Sequence, residues 1–259
     1  MIGIFDSGIG GLTVVKAIME SLPNYDLVYF GDTARTPYGT KSKKTVEGYT
    51  KENISFLKEK GVKMIVVACN TASSVLTPEI VKDAQVPVFE VITPAAKMAS
   101  AKTKNNCVGI IGTRQTVNSG VYESTVREIT PTTKVYSEPC PLLVSLVEEG
   151  WTTKPETASI VKKYILPLKA KKIDTLILGC THYPVLKGLI SQKMGKQVYI
   201  VDSSQAVAAS VKEYLKTHPE TDALLGKTGQ YRFYVSDLTS QFEKVAKKIL
   251  KIPLRLEQV

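Results

Sequence analysis

Met64-Ile65-Val66-Val67-Ala68 runs without a break into Cys69-Asn70-Thr71, and Thr175-Leu176-Ile177-Leu178-Gly179 runs in the same way into Cys180-Thr181-His182. Each stretch is a short apolar run, rich in β-branched residues, that stops at a cysteine and turns polar. Such runs read as strands buried on both faces, the kind found in parallel sheets covered by helices.

Working outward, further runs of this type are Ile2–Phe5, Leu27–Phe30, Val88–Val91, Val108–Ile111, Lys134–Tyr136 and Val198–Val201. Stretches of helical period lie between them: Leu12–Ser21, Lys43–Glu59, Thr157–Leu168 and Ala206–Leu215. Strands alternating with helices predict an α/β fold with mainly parallel sheets. In such sheets, active sites form where loops leave the carboxyl ends of strands.

The chain also resembles itself. Gly3-Ile4-Phe5 leads into Asp6-Ser7, and Gly109-Ile110-Ile111-Gly112 leads into Thr113, 106 residues later by subtracting 3 from 109. Cys69 and Cys180 are 111 residues apart by the same subtraction. A near-constant offset predicts two similar α/β domains related by pseudo-twofold symmetry, with the active site in the cleft between them. The expected division is residues 1–92 with 205–259, carrying Asp6 and Cys69, and residues 93–204, carrying Cys180 and His182. A chain returning to its first half would account for the extra length of 230–259. The offset is too long, and the copies too few, for a solenoid.

Composition narrows the function classes. Of 259 residues, 43% are hydrophobic and 22% charged, which is ordinary for a globular protein. The N-terminal residues carry no basic segment followed by an apolar one, and no apolar run approaches the roughly 18–20 residues of a membrane span. The expectation is a cytoplasmic protein with no membrane partner and four free thiols, Cys69, Cys107, Cys140 and Cys180. Cys107, opening an apolar run, reads as packing. Two histidines and no Cys-x-x-Cys pair are poor material for a metal site, so no metal is expected. The net charge of +10 is spread over helical faces, with no nucleic-acid motif, so no specific nucleic-acid partner is expected. The glycine-rich turn Gly8-Ile9-Gly10-Gly11 lacks the spacing of a dinucleotide-binding loop, and Gly39-Thr40-Lys41-Ser42 lacks the upstream glycine of a phosphate loop. A homodimer is compatible with this reading.

Two thiols facing one ligand from opposite sides have a specific chemical use. Inverting a stereocentre requires one group to take a proton from one face and another to deliver one to the other face. Thiols can exchange those roles, because their ordinary pKa of roughly 8.5 lies near neutrality. Asp6 leaves the first strand as a relay candidate for Cys69, while also suiting the start of the following helix as a cap. His182 stands two residues beyond Cys180, with Glu148 as its helper. Ser7, Asn70, Thr71 and Thr181 offer hydroxyl and amide groups to an amino-acid ligand, and backbone N–H groups at helix starts favour carboxylates. The turn Thr36-Pro37-Tyr38-Gly39-Thr40 follows the second strand and is placed to close over a side-chain carboxylate.

Asp6-Ser7-Gly8-Ile9-Gly10-Gly11, Thr36-Pro37-Tyr38-Gly39, Ala68-Cys69-Asn70-Thr71-Ala72, Leu146-Val147-Glu148-Glu149-Gly150 and Gly179-Cys180-Thr181-His182-Tyr183-Pro184 together resemble the glutamate racemase family. The likeness runs over essentially the whole chain in the expected order. It implies interconversion of L- and D-glutamate, supplying D-glutamate for peptidoglycan, with no cofactor and no metal. It implies Cys69 and Cys180 as the acid/base pair, with Asp6, His182 and Glu148 assisting; of the adjacent glutamates the family pattern favours Glu148. Substrate contacts implied are Asp6, Ser7, Pro37, Tyr38, Gly39, Thr40, Asn70, Thr71, Thr113, Thr181 and His182. By the same likeness Cys69 handles the proton of D-glutamate and Cys180 that of L-glutamate. The rival expectation is a racemase of the same superfamily acting on aspartate or another amino acid.

Overall fold

A computed structural model covers residues 1–259. The first half of the chain runs β1 (Ile2–Asp6), α1 (Leu12–Ser21), β2 (Leu27–Gly31), α2 (Lys43–Glu59), β3 (Met64–Val67), α3 (Asn70–Ser73), α4 (Pro78–Ala84) and β4 (Val88–Glu90). The second runs α5 (Ile92–Lys102), β5 (Cys107–Gly112), α6 (Arg114–Asn118), α7 (Val121–Ile129), β6 (Lys134–Pro139), α8 (Leu142–Glu148), α9 (Pro155–Ala170), β7 (Thr175–Gly179), α10 (Lys187–Met194) and β8 (Tyr199–Asp202). The chain then continues through α11 (Ser203–Thr217), α12 (Pro219–Ala223), β9 (Tyr231–Val235), α13 (Ser240–Leu250) and β10 (Leu256–Gln258).

The strands form two sheets. One has the order β10-β9-β2-β1-β3-β4 and the other β6-β5-β7-β8. All pairings are parallel. Within the first sheet, β2-β1-β3-β4 repeats the order β6-β5-β7-β8 of the second. The internal likeness in sequence is therefore a likeness of topology, and Cys69 and Cys180 both follow the third strand of their set.

Strand alternation decides which way each cysteine points. Met64, Val66 and Ala68 join the core beneath α1 and α11, whereas Ile65, Val67 and Cys69 join the one beneath α2. In β7, Leu176, Leu178 and then Cys180 pack toward α9 and α10, while Ile177 packs toward α5 and α7. Both sheets are thus apolar on both faces, as the unbroken runs required. The core residues of β3 and β7 are fully buried, each worth about 1.5–3 kcal/mol of removed apolar surface before entropy is charged against it.

Local chemistry sets the helix ends. Ser42 caps α2 by accepting from Thr45 N, Thr239 caps α13 by accepting from Phe242 N, and Pro155 opens α9, where its missing N–H is harmless. The expected strand Val88–Val91 stops at Glu90, because the Glu90 carboxylate accepts from Ile92 N at 2.5 Å and Thr93 N at 2.9 Å and so starts α5 instead. Residues 230–259 return to the first sheet: β9 pairs with β2, and β10 pairs with β9.

Candidate active site

The loops at the carboxyl ends of the strands converge from both sheets. Cys69 and Cys180 line one small cavity of ≈ 20 Å³, together with Ser7, Tyr38, Asn70, Thr71, Thr113 and His182. Pro37, Gly39 and Thr181 also line it, as does Val144, which sequence reasoning missed. Thr40 is exposed and lies outside this lining; its hydroxyl donates to Pro37 O at 3.1 Å. Larger hollows lie elsewhere, such as one of ≈ 560 Å³ walled by Phe89, Glu90 and Tyr214 on the far side of the β4–α5 turn. That hollow holds neither a cysteine nor a histidine, so chemistry rather than size identifies the site.

The two sulfurs have different neighbours. Cys69 sits before α3, accepts from Ala72 N at 3.5 Å and donates to Ser7 Oγ at 3.8 Å. Burial, reinforced by the nearby charge of Asp6, pushes the Cys69 thiol up to about 12. Cys180 Sγ lies 3.6 Å from His182 Nδ1, and His182 Nε2 lies 3.2 Å from Glu148 Oε1. Burial opposes a charge on His182, yet hydrogen bonding and attraction from Cys180 and Glu148 prevail and hold the imidazole protonated well above its ordinary pH. Gln241 Nε2, from α13, donates to Glu148 O at 2.9 Å and fixes the end of α8. Of the two adjacent glutamates, Glu148 is the one that reaches the imidazole.

Asp6 is fully buried behind this cavity. Its Oδ2 accepts from Gly8 N at 3.0 Å and Gly11 N at 2.9 Å, and its Oδ1 accepts from Thr181 Oγ1 at 3.1 Å. Asp6 is therefore not the helix cap anticipated from sequence: the helix starts at Gly8 and Gly11 carry no side-chain cap, and the carboxylate instead holds the turn between β1 and α1 and ties it to the opposite half beside Cys180. Burial raises its pKa, while the charge of His182 and these hydrogen bonds pull it back.

The halves meet closely. A Cβ on Gly10 would overlap Thr181 Oγ1 and lie 2.6 Å from His182 Nδ1, and one on Gly39 would lie 2.5 Å from Thr113 Cβ. Only residues without a side chain allow that approach. Thr71 Oγ1 stands 3.0 Å from Thr113 Oγ1 and 3.2 Å from Thr116 Oγ1, a hydroxyl cluster spanning both halves. Thr116 was missed, although its place three residues after Thr113, one helical turn, was a usable signal.

Tyr38 is held from below. Its hydroxyl donates to buried Asp32 and accepts from Asn53 Nδ2 at 3.0 Å, while Asp32 also accepts from Arg35 Nε at 2.7 Å and Ser236 Oγ at 3.1 Å. Asp32 carries no recognisable motif and was not singled out by sequence.

All four cysteines are free, and no group of three or more His, Cys, Asp or Glu side chains is placed to share a metal ion. No helix is long and apolar enough to cross a membrane. Cys180, His182 and Glu148 are strung in a line through the two ring nitrogens, an arrangement for moving a proton and holding a charge.

Known proteins match along the whole chain. The family model described as Asp/Glu/Hydantoin racemase matches residues 8–211. A glutamate racemase of Syntrophus aciditrophicus is 43% identical over 253 residues, covering 96% of this chain and 92% of that protein. Among solved structures, glutamate racemase isoform RacE1 of Bacillus anthracis superposes with TM-score 0.94 at 36% identity, covering 100% of this chain and 97% of that one. The Francisella tularensis glutamate racemase in complex with D-glutamate superposes with TM-score 0.91 at 39% identity, covering 100% and 96%.

Proposed function

This chain belongs to the Asp/Glu/Hydantoin racemase family, and from that membership we propose that it interconverts L- and D-glutamate by moving one proton at Cα between two opposed thiols. It is an amino-acid racemase, an isomerase. The observation that carries the mechanism is that Cys69 and Cys180, each following the third strand of a like-ordered set, line one cavity. Glutamate is favoured over aspartate because relatives at 43–46% identity over nearly the full chain are glutamate racemases.

In the L-to-D direction Cys180 removes the Cα proton and Cys69 delivers one to the opposite face; the reverse direction exchanges their tasks. The surroundings support this assignment of resting roles. Cys69 is buried with no cation beside it and keeps its proton, ready as the acid. His182, held protonated, is the counter-charge that a thiolate at Cys180 needs. Glu148 keeps His182 in that state and oriented. Asp6 ties the turn that follows its own strand to Thr181. Ser7, Pro37, Tyr38, Gly39, Asn70, Thr71, Thr113 and Thr181 are the proposed walls and donors for the substrate, with Thr40 at the outer rim. The mechanism calls for no cofactor and no metal.

A cavity of ≈ 20 Å³ holds on the order of one water, so glutamate enters only when the halves part and is then enclosed. Closure excludes the water that would otherwise exchange protons with the intermediate. The two bodies that move are residues 1–92 with 205–259 and residues 93–204, a division supported by the membership of the two sheets. The resemblance extends the proposal to a cytoplasmic enzyme whose D-glutamate supplies peptidoglycan synthesis.

The test is replacement of each cysteine. Cys69→Ala and Cys180→Ala should each lower racemisation, followed by polarimetry, by at least about 10³-fold, near the upper range for a positioned acid or base. Both should retain the wild-type circular dichroism spectrum. Near-normal turnover by either variant removes the two-thiol mechanism.

A further inference from the structure

Asn70 is 2% exposed and lines the cavity, and its two polar atoms have unequal surroundings. Its Oδ1 accepts a hydrogen bond of 2.6 Å from the hydroxyl of Tyr122. Its Nδ2 is buried and has no partner. Buried amide nitrogens are nearly always paired, so an unpaired one in a reaction cavity is a donor awaiting a ligand.

Tyr122 belongs to the opposite half of the molecule. It sits on α7, 2% exposed, within the core formed by α5, α7 and β7, and it does not line the cavity. Its ring packs against Gly179, where a Cβ would come within 3.1 Å of Tyr122 Cε2, so it stands directly behind the strand end that bears Cys180. The hydrogen bond therefore crosses from the Cys180 half to the Cys69 half.

We propose that Tyr122 is a positioning residue: its hydroxyl fixes the flip of the Asn70 amide so that both Nδ2 protons face the substrate carboxylate, and it does so only when the halves are closed. An amide can rotate by half a turn with little steric change, and the wrong orientation would aim a carbonyl oxygen at an anion. The bond from the Tyr122 hydroxyl to Oδ1 selects against that orientation, because turning the amide over would break it and aim Oδ1 at the anion. The open cleft lacks the bond, so Asn70 becomes a committed donor as the ligand is enclosed. No motif marked Tyr122, which stands 52 residues from Asn70.

This inference rests on the racemase reading of the cavity, and the two are tested separately. Turnover of glutamate by the wild-type protein checks that reading. Tyr122→Phe then removes one hydroxyl and keeps the ring. The expected result is a KM for both enantiomers raised about tenfold, kcat changed by less than about threefold, and a thermal midpoint within about 2–4 °C of wild type. Asn70→Ala should raise KM further, and adding Tyr122→Phe to it should cost nothing more, since the tyrosine then has no amide to orient. A KM for Tyr122→Phe within about twofold of wild type, a loss in kcat alone, or multiplying effects in the double variant overturns the proposal. Should Tyr122→Phe fail to fold, Asn70→Asp decides: it retains the acceptor for Tyr122 but turns the donor into an anion. Saturable D-glutamate binding, measured by calorimetry, should then be lost from a folded protein. Wild-type affinity in Asn70→Asp would show that Nδ2 does not meet the ligand.

Discussion

Replacing Glu148 by Gln keeps the shape of the side chain and its acceptor oxygen but deletes the charge that holds His182 protonated. Two unit charges 3.2 Å apart attract by about 5 kcal/mol at an effective dielectric of 20. The Glu148 side chain is 30% exposed, however, and solvent screens much of that attraction. A hydrogen bond to a charged group contributes about 1.5–3 kcal/mol net, and the exposure favours the lower end. His182 should then release its proton about one to two pH units lower than in the wild type. If imidazolium is the counter-charge for Cys180, kcat/KM at neutral pH should fall roughly 10- to 150-fold. Because the two enantiomers have equal free energy in water, kcat/KM must fall equally in both directions, which provides an internal control. The direction-dependent signal is the isotope effect. With deuterium at Cα, the effect should grow more for the enantiomer whose proton Cys180 takes, L-glutamate. The assay is initial rates by polarimetry across pH, with protiated and deuterated substrates of each hand. The alkaline limb of the profile should move to lower pH in Glu148→Gln, and lowering the pH should recover activity. A kcat/KM within about threefold of wild type, with the alkaline limb unmoved, refutes the role assigned to the Glu148–His182 pair.

Three further outcomes follow from the geometry. Gly10→Ala places a methyl group against Thr181 and His182, so the halves cannot close fully; displacements on the order of 1 Å in such sites cost about 10²-fold, and kcat/KM should fall by that order with little change in melting temperature. Full activity would show that the close approach at Gly10 is dispensable. The Cys69 thiol is raised from 9.0 to about 12, so above pH 9 the unfolded chain releases a proton that the folded one retains, and this contribution to stability is lost as pH rises through that interval. The slope is at most about 1.4 kcal/mol per pH unit, and urea midpoints between pH 8.5 and 10.5 should fall less steeply for Cys69→Ala than for wild type; parallel slopes would count against a buried neutral thiol. Racemisation should survive both EDTA and hydroxylamine, and loss with either reagent would point to a metal or a carbonyl cofactor.

Much of this architecture was legible because both-face burial demands unbroken apolar runs. All eight strands anticipated from sequence are β1–β8, and the self-likeness around Gly3 and Gly109 corresponds to two equally ordered strand sets. The strands that escaped notice, β9 and β10, lie at the edge of the first sheet. Tyr231-Arg232-Phe233-Tyr234-Val235 carries an exposed arginine just before the stretch that β10 covers, which breaks the apolar run, and Leu256-Glu257-Gln258 is too short and polar to register. Motif residues such as Ser7, Asn70 and Thr181 stood beside strand ends and could be read directly. Asp32 and Tyr122 could not be placed the same way, because they act on a neighbour that only the fold brings near. Asp32 meets Ser236 across 204 positions, and Tyr122 meets Asn70 from the other half.

The returning C-terminal segment gives those hidden residues a common logic. Sequence anticipated that residues 230–259 return to the first half, but not that two of their contacts lead to the residues around the cavity shared by Cys69 and Cys180. Ser236, just past β9, donates to Asp32, which in turn accepts from the Tyr38 hydroxyl that walls the cavity. Gln241, in the first turn of α13, donates to the backbone of Glu148, whose side chain holds His182 beside Cys180. One short stretch of chain thus braces the wall contributed by the Cys69 half and the proton-holding group of the Cys180 half. A parallel sheet positions residues at its strand ends to within a loop's freedom, and chemistry at a stereocentre tolerates much less. The second layer of hydrogen bonds narrows that freedom, and it is built from residues whose identity makes sense only once the chain has come back to where it began.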